Sequence, residues 1–136
     1  MLHAKLPLGL MAAMALNLSC ESKPHVATDG TGTLIICTPQ YDDGYELESA
    51  TVEGDTLSIG VSYSGGCANH EWELCWDGEV MESAPVQIRL SLGHNANGDS
   101  CEAIETDSIQ FDISVLADVE KPSQLLLGST SVIYGE

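Results

Sequence analysis

From residue 33 onward apolar side chains recur at every second position, and a period of two confines the folded part of the chain to strands with one dry and one wet face. Leu57, Ile59, Val61 and Tyr63 alternate with Ser58, Gly60 and Ser62. Val86, Ile88, Leu90 and Leu92 alternate with Gln87, Arg89 and Ser91, and Ile109, Phe111, Ile113 and Val115 with Gln110, Asp112 and Ser114. The run His70-Glu71-Trp72-Glu73-Leu74-Cys75-Trp76 sets His70, Trp72, Leu74 and Trp76 on one face and Glu71, Glu73 and Cys75 on the other; two Trp on one face mark it as core. Residues 33–37 are apolar on both sides and read as a more central strand, and residues 45–53 and 125–134 as weaker ones. Turn chemistry separates the runs at Asp42-Asp43-Gly44, Glu53-Gly54-Asp55, Ser64-Gly65-Gly66, Asp77-Gly78 and Asn97-Gly98-Asp99. Helical periodicity is absent. The expectation is therefore an all-β domain over residues 33–136, an antiparallel, immunoglobulin-like β-sandwich of seven to eight strands. A length of 136 residues leaves room for one such domain and not for two.

The N-terminal part has another pattern. Residues 1–5 carry Lys5, the first cation, and residues 6–18 are almost wholly apolar. That run falls short of the roughly 20 residues a membrane-spanning helix needs, so it reads as the core of a signal peptide, residues 1–19. The segment Leu16-Asn17-Leu18-Ser19-Cys20 resembles a bacterial lipoprotein box, in which a small residue precedes the cysteine that receives the lipid. Ser19 and Cys20 match, whereas Asn17 stands where the box has a branched aliphatic residue. The resemblance implies cleavage before Cys20, a lipid on Cys20 and a domain anchored to a membrane of the cell envelope. Ala13-Met14-Ala15 offers ordinary signal peptidase a competing site, which would make the protein secreted. Parity favours the lipid, because it leaves Cys37, Cys67, Cys75 and Cys101 as an even set. Residues 20–32, with Val26 as the one sizeable apolar side chain after Cys20, read as a flexible tether.

With 21 Asp plus Glu against 4 Lys plus Arg, the chain has a formal charge of −17. Such a charge repels phosphate backbones and anionic head groups, which argues against nucleic acid and against polybasic membrane docking. The partners left are the membrane, through the lipid, and an unknown protein or small molecule. No Gly-x-Ser-x-Gly elbow, His-Glu-x-x-His, Walker loop or dinucleotide fingerprint is present, and Ser64 before two glycines reads as a turn residue. The chain is expected to be no enzyme and to need no cofactor. Asn95-Ala96-Asn97-Gly98-Asp99 places oxygens at alternate positions like the start of an EF-hand loop, but the twelfth position is Thr106 rather than Glu, and a plain Asn-Gly turn accounts for it.

The most distinctive stretches are Gly65-Gly66-Cys67-Ala68-Asn69-His70 and His94-Asn95-Ala96-Asn97-Gly98-Asp99-Ser100-Cys101-Glu102-Ala103. Over residues 57–116 the chain resembles a group of small bacterial lipoproteins whose β domains carry a Gly-Gly-Cys-x-x-His strand start and a later His-loop-Asp-x-Cys-x-Ala element. It is also similar to NigD-like β-sandwich domains. The group has no assigned activity. The resemblance implies a Cys67–Cys101 bridge between two strand ends, to which Cys37 and Cys75 look like an addition. Four cysteines permit three connectivities, of which Cys67–Cys101 with Cys37–Cys75 is preferred.

A competing reading of the same residues is a metal site. Cys67-x2-His70-x4-Cys75 and His94-x6-Cys101 have spacings that zinc accepts, though an oxidising compartment turns thiols into disulfides. A leaner version uses His70 and His94 beside an oxidised Cys67–Cys101 bridge, helped by a carboxylate such as Glu71 or Asp99. Two function classes follow: a non-enzymatic binding or structural module of the bacterial envelope, and a periplasmic metal-binding protein using His70 and His94.

Overall fold

The computed structural model describes residues 30–135; the segment expected to be a signal peptide (1–19), Cys20 and the expected tether up to residue 29 lie outside the described residues. Among the described residues nine strands follow one another: β1 (Thr31–Thr33), β2 (Ile35–Ile36), β3 (Glu46–Glu53), β4 (Thr56–Gly65), β5 (Glu71–Trp76), β6 (Val86–Asn95), β7 (Ala103–Asp112), β8 (Ser123–Leu127) and β9 (Thr130–Tyr134). A 3-10 turn, Ser114–Leu116, links β7 to β8. The strands form two sheets, in the order β1-β7-β4-β3 and β2-β5-β6-β8-β9. The expected sandwich is what the chain forms. Its long ladders are antiparallel, β4 with β7 from Thr56↔Asp112 to Gly65↔Ala103 and β5 with β6 from Glu71↔Asn95 to Trp76↔Leu90. Parallel pairing joins β1 to β7, β2 to β5 and β6 to β8.

The core is made by the alternating residues read from the sequence. Ile59 of β4, Leu74 of β5, Ile88 of β6, Ile109 and Phe111 of β7 and Leu125 of β8 are wholly buried, and Trp72 is 2 % exposed. Three strand expectations change in detail. Residues 33–37 are apolar on both sides because the chain there crosses between layers rather than running through the middle of one. β1 pairs in the first sheet, buried Leu34 bonds to the Asp112 carbonyl, and β2 pairs in the second sheet. The strand expected at 109–115 ends at Asp112, where the Ser114 amide donates to Asp112 Oδ1 and turns the chain. Ile113 and Leu116 are buried from outside any strand. The segment 125–134 is a hairpin, β8 and β9, turned at Gly128 with φ of 59°. The short pieces raise the strand number from the expected seven or eight to nine. β1 also begins two residues before residue 33, so Thr31 and Gly32, assigned to the tether, pair with Gln110 and Phe111.

Between β2 and β3 the chain crosses the outer face of β5 and β6 as a strap. The Cys37–Cys75 disulfide fastens its start, the Gln40 amide donates to Glu73 at 3.3 Å, and Asp42 bridges to His94 on the far edge of β6. Glu73 and Cys75 were expected on a wet face; the strap buries them to 8 % and 1 % exposure. Gly93 lies beneath it, where a Cβ would stand 2.9 Å from Pro39 Cβ and 3.2 Å from the Tyr41 carbonyl oxygen. Only a residue without a side chain lets the strap lie flat on the sheet. Gly93→Ala should therefore lower stability by about 1–3 kcal/mol through overpacking, read as a shift in urea midpoint with an unchanged slope. An unchanged midpoint would show that the strap does not press on β6.

Candidate functional site

His70 and His94 meet at one end of the sandwich. His70 lies at the turn into β5, and His94 is the cross-strand partner of Trp72 in β6, so ring stacks on ring: Trp72 and His94 are 4.0 Å apart between centroids and 7° from parallel. Nδ1 of His70 is 2.7 Å from Nε2 of His94. On the outer side of His70, Nε2 is 2.9 Å from Asp99 Oδ2. On the outer side of His94, Nδ1 is 3.2 Å from the Asp43 carbonyl oxygen and 3.1 Å from that of Gly44. The side chains of His70 and Asp99 are 2 % and 0 % exposed, and His94 as a residue 1 %.

Asp99 is held by its neighbours. Its Oδ2 accepts the amides of Cys67 and Ala68 at 3.1 and 3.0 Å, and its Oδ1 accepts the Cys101 amide at 3.0 Å. The His70 hydrogen bond, joined by these amides, holds its carboxyl far below the usual carboxylate range, so Asp99 is ionised. Gly65 makes the approach possible, since a Cβ there would stand 2.7 Å from His70 Nε2 and 2.8 Å from Asp99 Oδ2.

The partners fix the protons. Carbonyl and carboxylate oxygens only accept, so His94 Nδ1 and His70 Nε2 each carry a hydrogen, and the contact between the rings needs one more. Two neutral imidazoles own two such hydrogens; this chain of bonds holds three. The pair therefore carries one positive charge opposite the Asp99 carboxylate. The aromatic rings suit that charge: Tyr63 lies 4.3 Å from His70 and 5.4 Å from His94 between centroids, and Trp72 covers the other ring. A fourth proton would set two N–H groups against each other across 2.7 Å. Burial accordingly pushes the His94 pKa down, overriding the opposing pull of the Asp43 and Gly44 carbonyls. Tyr45, which stands edge-on to Trp72 and His94 and donates to the Leu92 carbonyl, is raised by burial and stays protonated.

The two disulfides are Cys37–Cys75 and Cys67–Cys101, with Cα atoms 4.9 and 5.8 Å apart. The second lies beside Asp99, whose carboxylate holds the amides of both Cys67 and Cys101. The first is on the far face of β5 with Glu73, so the spacing Cys67-x2-His70-x4-Cys75 does not gather into one site. His70 and His94 do come together, with their nitrogens turned on each other. Glu71 takes no part, since its Oε2 accepts from the Asn95 amide group. Residues 95–99 form the expected turn, with Asn97 at φ of 52°. Sequence reasoning missed Tyr45, Tyr63 and the carbonyls of Asp43 and Gly44. A signal for Tyr63 was present, as the last alternating residue of its strand next to Ser64-Gly65-Gly66.

The whole is a two-sheet β-sandwich, fastened by two disulfides and carrying a buried Asp–His–His chain at one end. No protein-family model and no curated protein matches the chain. Its fold is similar to that of solved structures. A NigD-like immunity protein from Bacteroides caccae superposes with a TM-score of 0.53 at 17 % identity, over 71 % of this chain and 51 % of that one. A protein of unknown function of the DUF1344 group from Bacteroides vulgatus superposes with a TM-score of 0.55 at 13 % identity, over 78 % and 56 %. The chain thus spans about half the length of these structures.

The pH dependence follows from the pair. His94 has a folded pKa below its unfolded value of about 6.5, so the unfolded chain takes up a proton that the fold refuses, and stability is lost as pH falls below that value. Asp99, depressed when folded, adds a second loss as pH falls from its unfolded value of about 3.9 towards its folded one. Urea midpoints should fall between pH 7 and pH 5 and again below pH 4. A midpoint that is level or rises from pH 7 to pH 5 contradicts a His94 that resists its proton.

Proposed function

We propose that the chain is exported and, through lipid on Cys20, anchored to the bacterial cell envelope, where it serves as a binding or structural module rather than as an enzyme. The observation that carries this reading is the pair of disulfides, which belong to an oxidising, extracytoplasmic compartment. Each stabilises a domain of this size by about 2–4 kcal/mol, so the fold depends on that compartment. Among the described residues no helix is long and apolar enough to cross a membrane. The fold shared with a protein described as a NigD-like immunity protein supports a module that acts by contact.

A second reading, metal binding by His70 and His94, has in its favour that the two rings meet at 2.7 Å. Those nitrogens are spent on each other, however, so zinc, copper or calcium titrated into the oxidised protein should give no binding heat. Heat that disappears in His94→Gln would favour this second reading. For the anchor, labelled palmitate should enter the wild-type protein in the bacterium and be absent from Cys20→Ala. A mature N-terminus at Leu16 would refute it.

A further inference from the structure

Residues 122–135 carry no charge, although the chain as a whole has 21 Asp plus Glu. They contain the β8–β9 hairpin, and β9 ends the order of its sheet, so no described strand pairs with its outer edge. An open edge takes up further strands unless charge, shortness or a bulge blunts it. Among the described residues the other edges are blunted. β3 carries Glu46, Glu48 and Glu53 and a register shift between Leu47 and Ser49. β1 and β2 have three and two residues. The part of β7 that β1 leaves uncovered bears Glu105 and Asp107, and Asp107 Oδ1 accepts the Ser108 amide. β9 has none of these devices: its five residues pair with β8 without a shift, and Ile133 on it is 36 % exposed. We propose that the open edge of β9 is the contact through which two copies of this chain associate, strand against antiparallel strand.

The hairpin decides which backbone groups that edge presents. A two-residue turn, Gly128-Ser129, joins Leu127 to Thr130, and residues flanking such a turn exchange both their hydrogen bonds. Bonded pairs then recur at Leu125↔Val132 and Ser123↔Tyr134, so Ser131 and Ile133 turn their amides and carbonyls outward. A second copy rotated by a half-turn about Val132 sets Ser131 against Ile133 and Ile133 against Ser131. Each outward amide then meets a carbonyl, and the contact is self-complementary, as two-fold symmetry requires. The two five-stranded sheets become one continuous sheet.

Charge selects a second copy over other partners. A basic segment, which the acidic surface attracts, finds no carboxylate along residues 122–135 and is drawn elsewhere. An acidic segment is repelled by the rest of the chain. A second copy brings an edge as free of charge as the first, whereas the same half-turn at β3 sets its three glutamates against their own copies. The cost that remains is the long-range repulsion between two acidic molecules, which salt screens. The proposal does not depend on lipid at Cys20.

The exported protein with Cys20→Ala, which bears no lipid, is followed by sedimentation equilibrium at rising concentration and at low and high salt. A monomer–dimer equilibrium is expected, with association strengthened by salt. Hydrogen exchange at the Ser131 and Ile133 amides should slow as the dimer forms. Ser131→Pro removes an outward amide and leaves the β8 ladder whole, so it should weaken association about 10-fold or more with circular dichroism unchanged. Ile133→Lys, which gives β9 the kind of charge that blunts an edge, should weaken it likewise without touching the backbone. Ser108→Pro, on the β7 edge, should leave association as it is. A chain that stays monomeric throughout overturns the proposal and leaves the edge to a foreign strand. A dimer that both β9 variants leave intact overturns it too, as does one that only Ser108→Pro breaks.

Discussion

Burying an ionised carboxylate beside two imidazoles is tolerable only when each nitrogen and each oxygen finds a partner, and that constraint organises one end of this molecule. Asp99 must sit where three amides reach it, so the turn after β6 and the loop before β5 are drawn together around it. His94 must end on acceptors, so the strap between β2 and β3 brings the Asp43 and Gly44 carbonyls to it. Three segments far apart in sequence are thereby set by one line of hydrogen bonds. The disulfides take complementary positions: Cys67–Cys101 ties the two loops around Asp99, and Cys37–Cys75 ties the start of the strap to β5. Neither bridge duplicates the polar chain, because one holds the loops to each other and the other holds the strap to the sheet.

Much of the fold was legible because burial imposes a period. β4 and β6 stand where Leu57–Ser58–Ile59 and Val86–Gln87–Ile88 alternate, and the Trp72, Leu74 and Trp76 face is core as its pattern requires. The misreadings fall where burial comes from something other than a sheet face. Ile113 and Leu116 keep an apolar rhythm beyond the end of β7, yet they reach the core from a 3-10 turn. Cys75 and Glu73 looked wet by alternation and are dry because the strap, a stretch with little pattern of its own, lies over them. Residues 33–37 are apolar on both sides for a reason that no single-sheet reading contains: the segment serves two sheets in succession.

The site was half legible. His70, His94, Asp99 and the Cys67–Cys101 pair could all be named, because each sits beside glycine turns at strand ends, and a metal reading followed from their types. What alternation cannot reveal is direction. Whether two histidine nitrogens point at a shared ion or at each other depends on the acceptors beyond them, and here those are main-chain carbonyls of Asp43 and Gly44, which carry no side-chain signal. The arrangement of the rings likewise depends on Trp72 facing His94 across two strands, a register fixed only when β5 and β6 pair.

The charge of the whole chain bears on what occupies the centre. Among the described residues the Lys and Arg side chains are Arg89 and Lys121, and the amino group of Lys121 is engaged by the carbonyls of Leu116, Ala117 and Val119 and by the Tyr134 ring. Acidic side chains occupy nearly every stretch between them. Long-range terms at the histidine pair are therefore attractive for a cation, while burial opposes each further unit of charge. The balance admits one positive charge held against Asp99 and resists a second proton on His94.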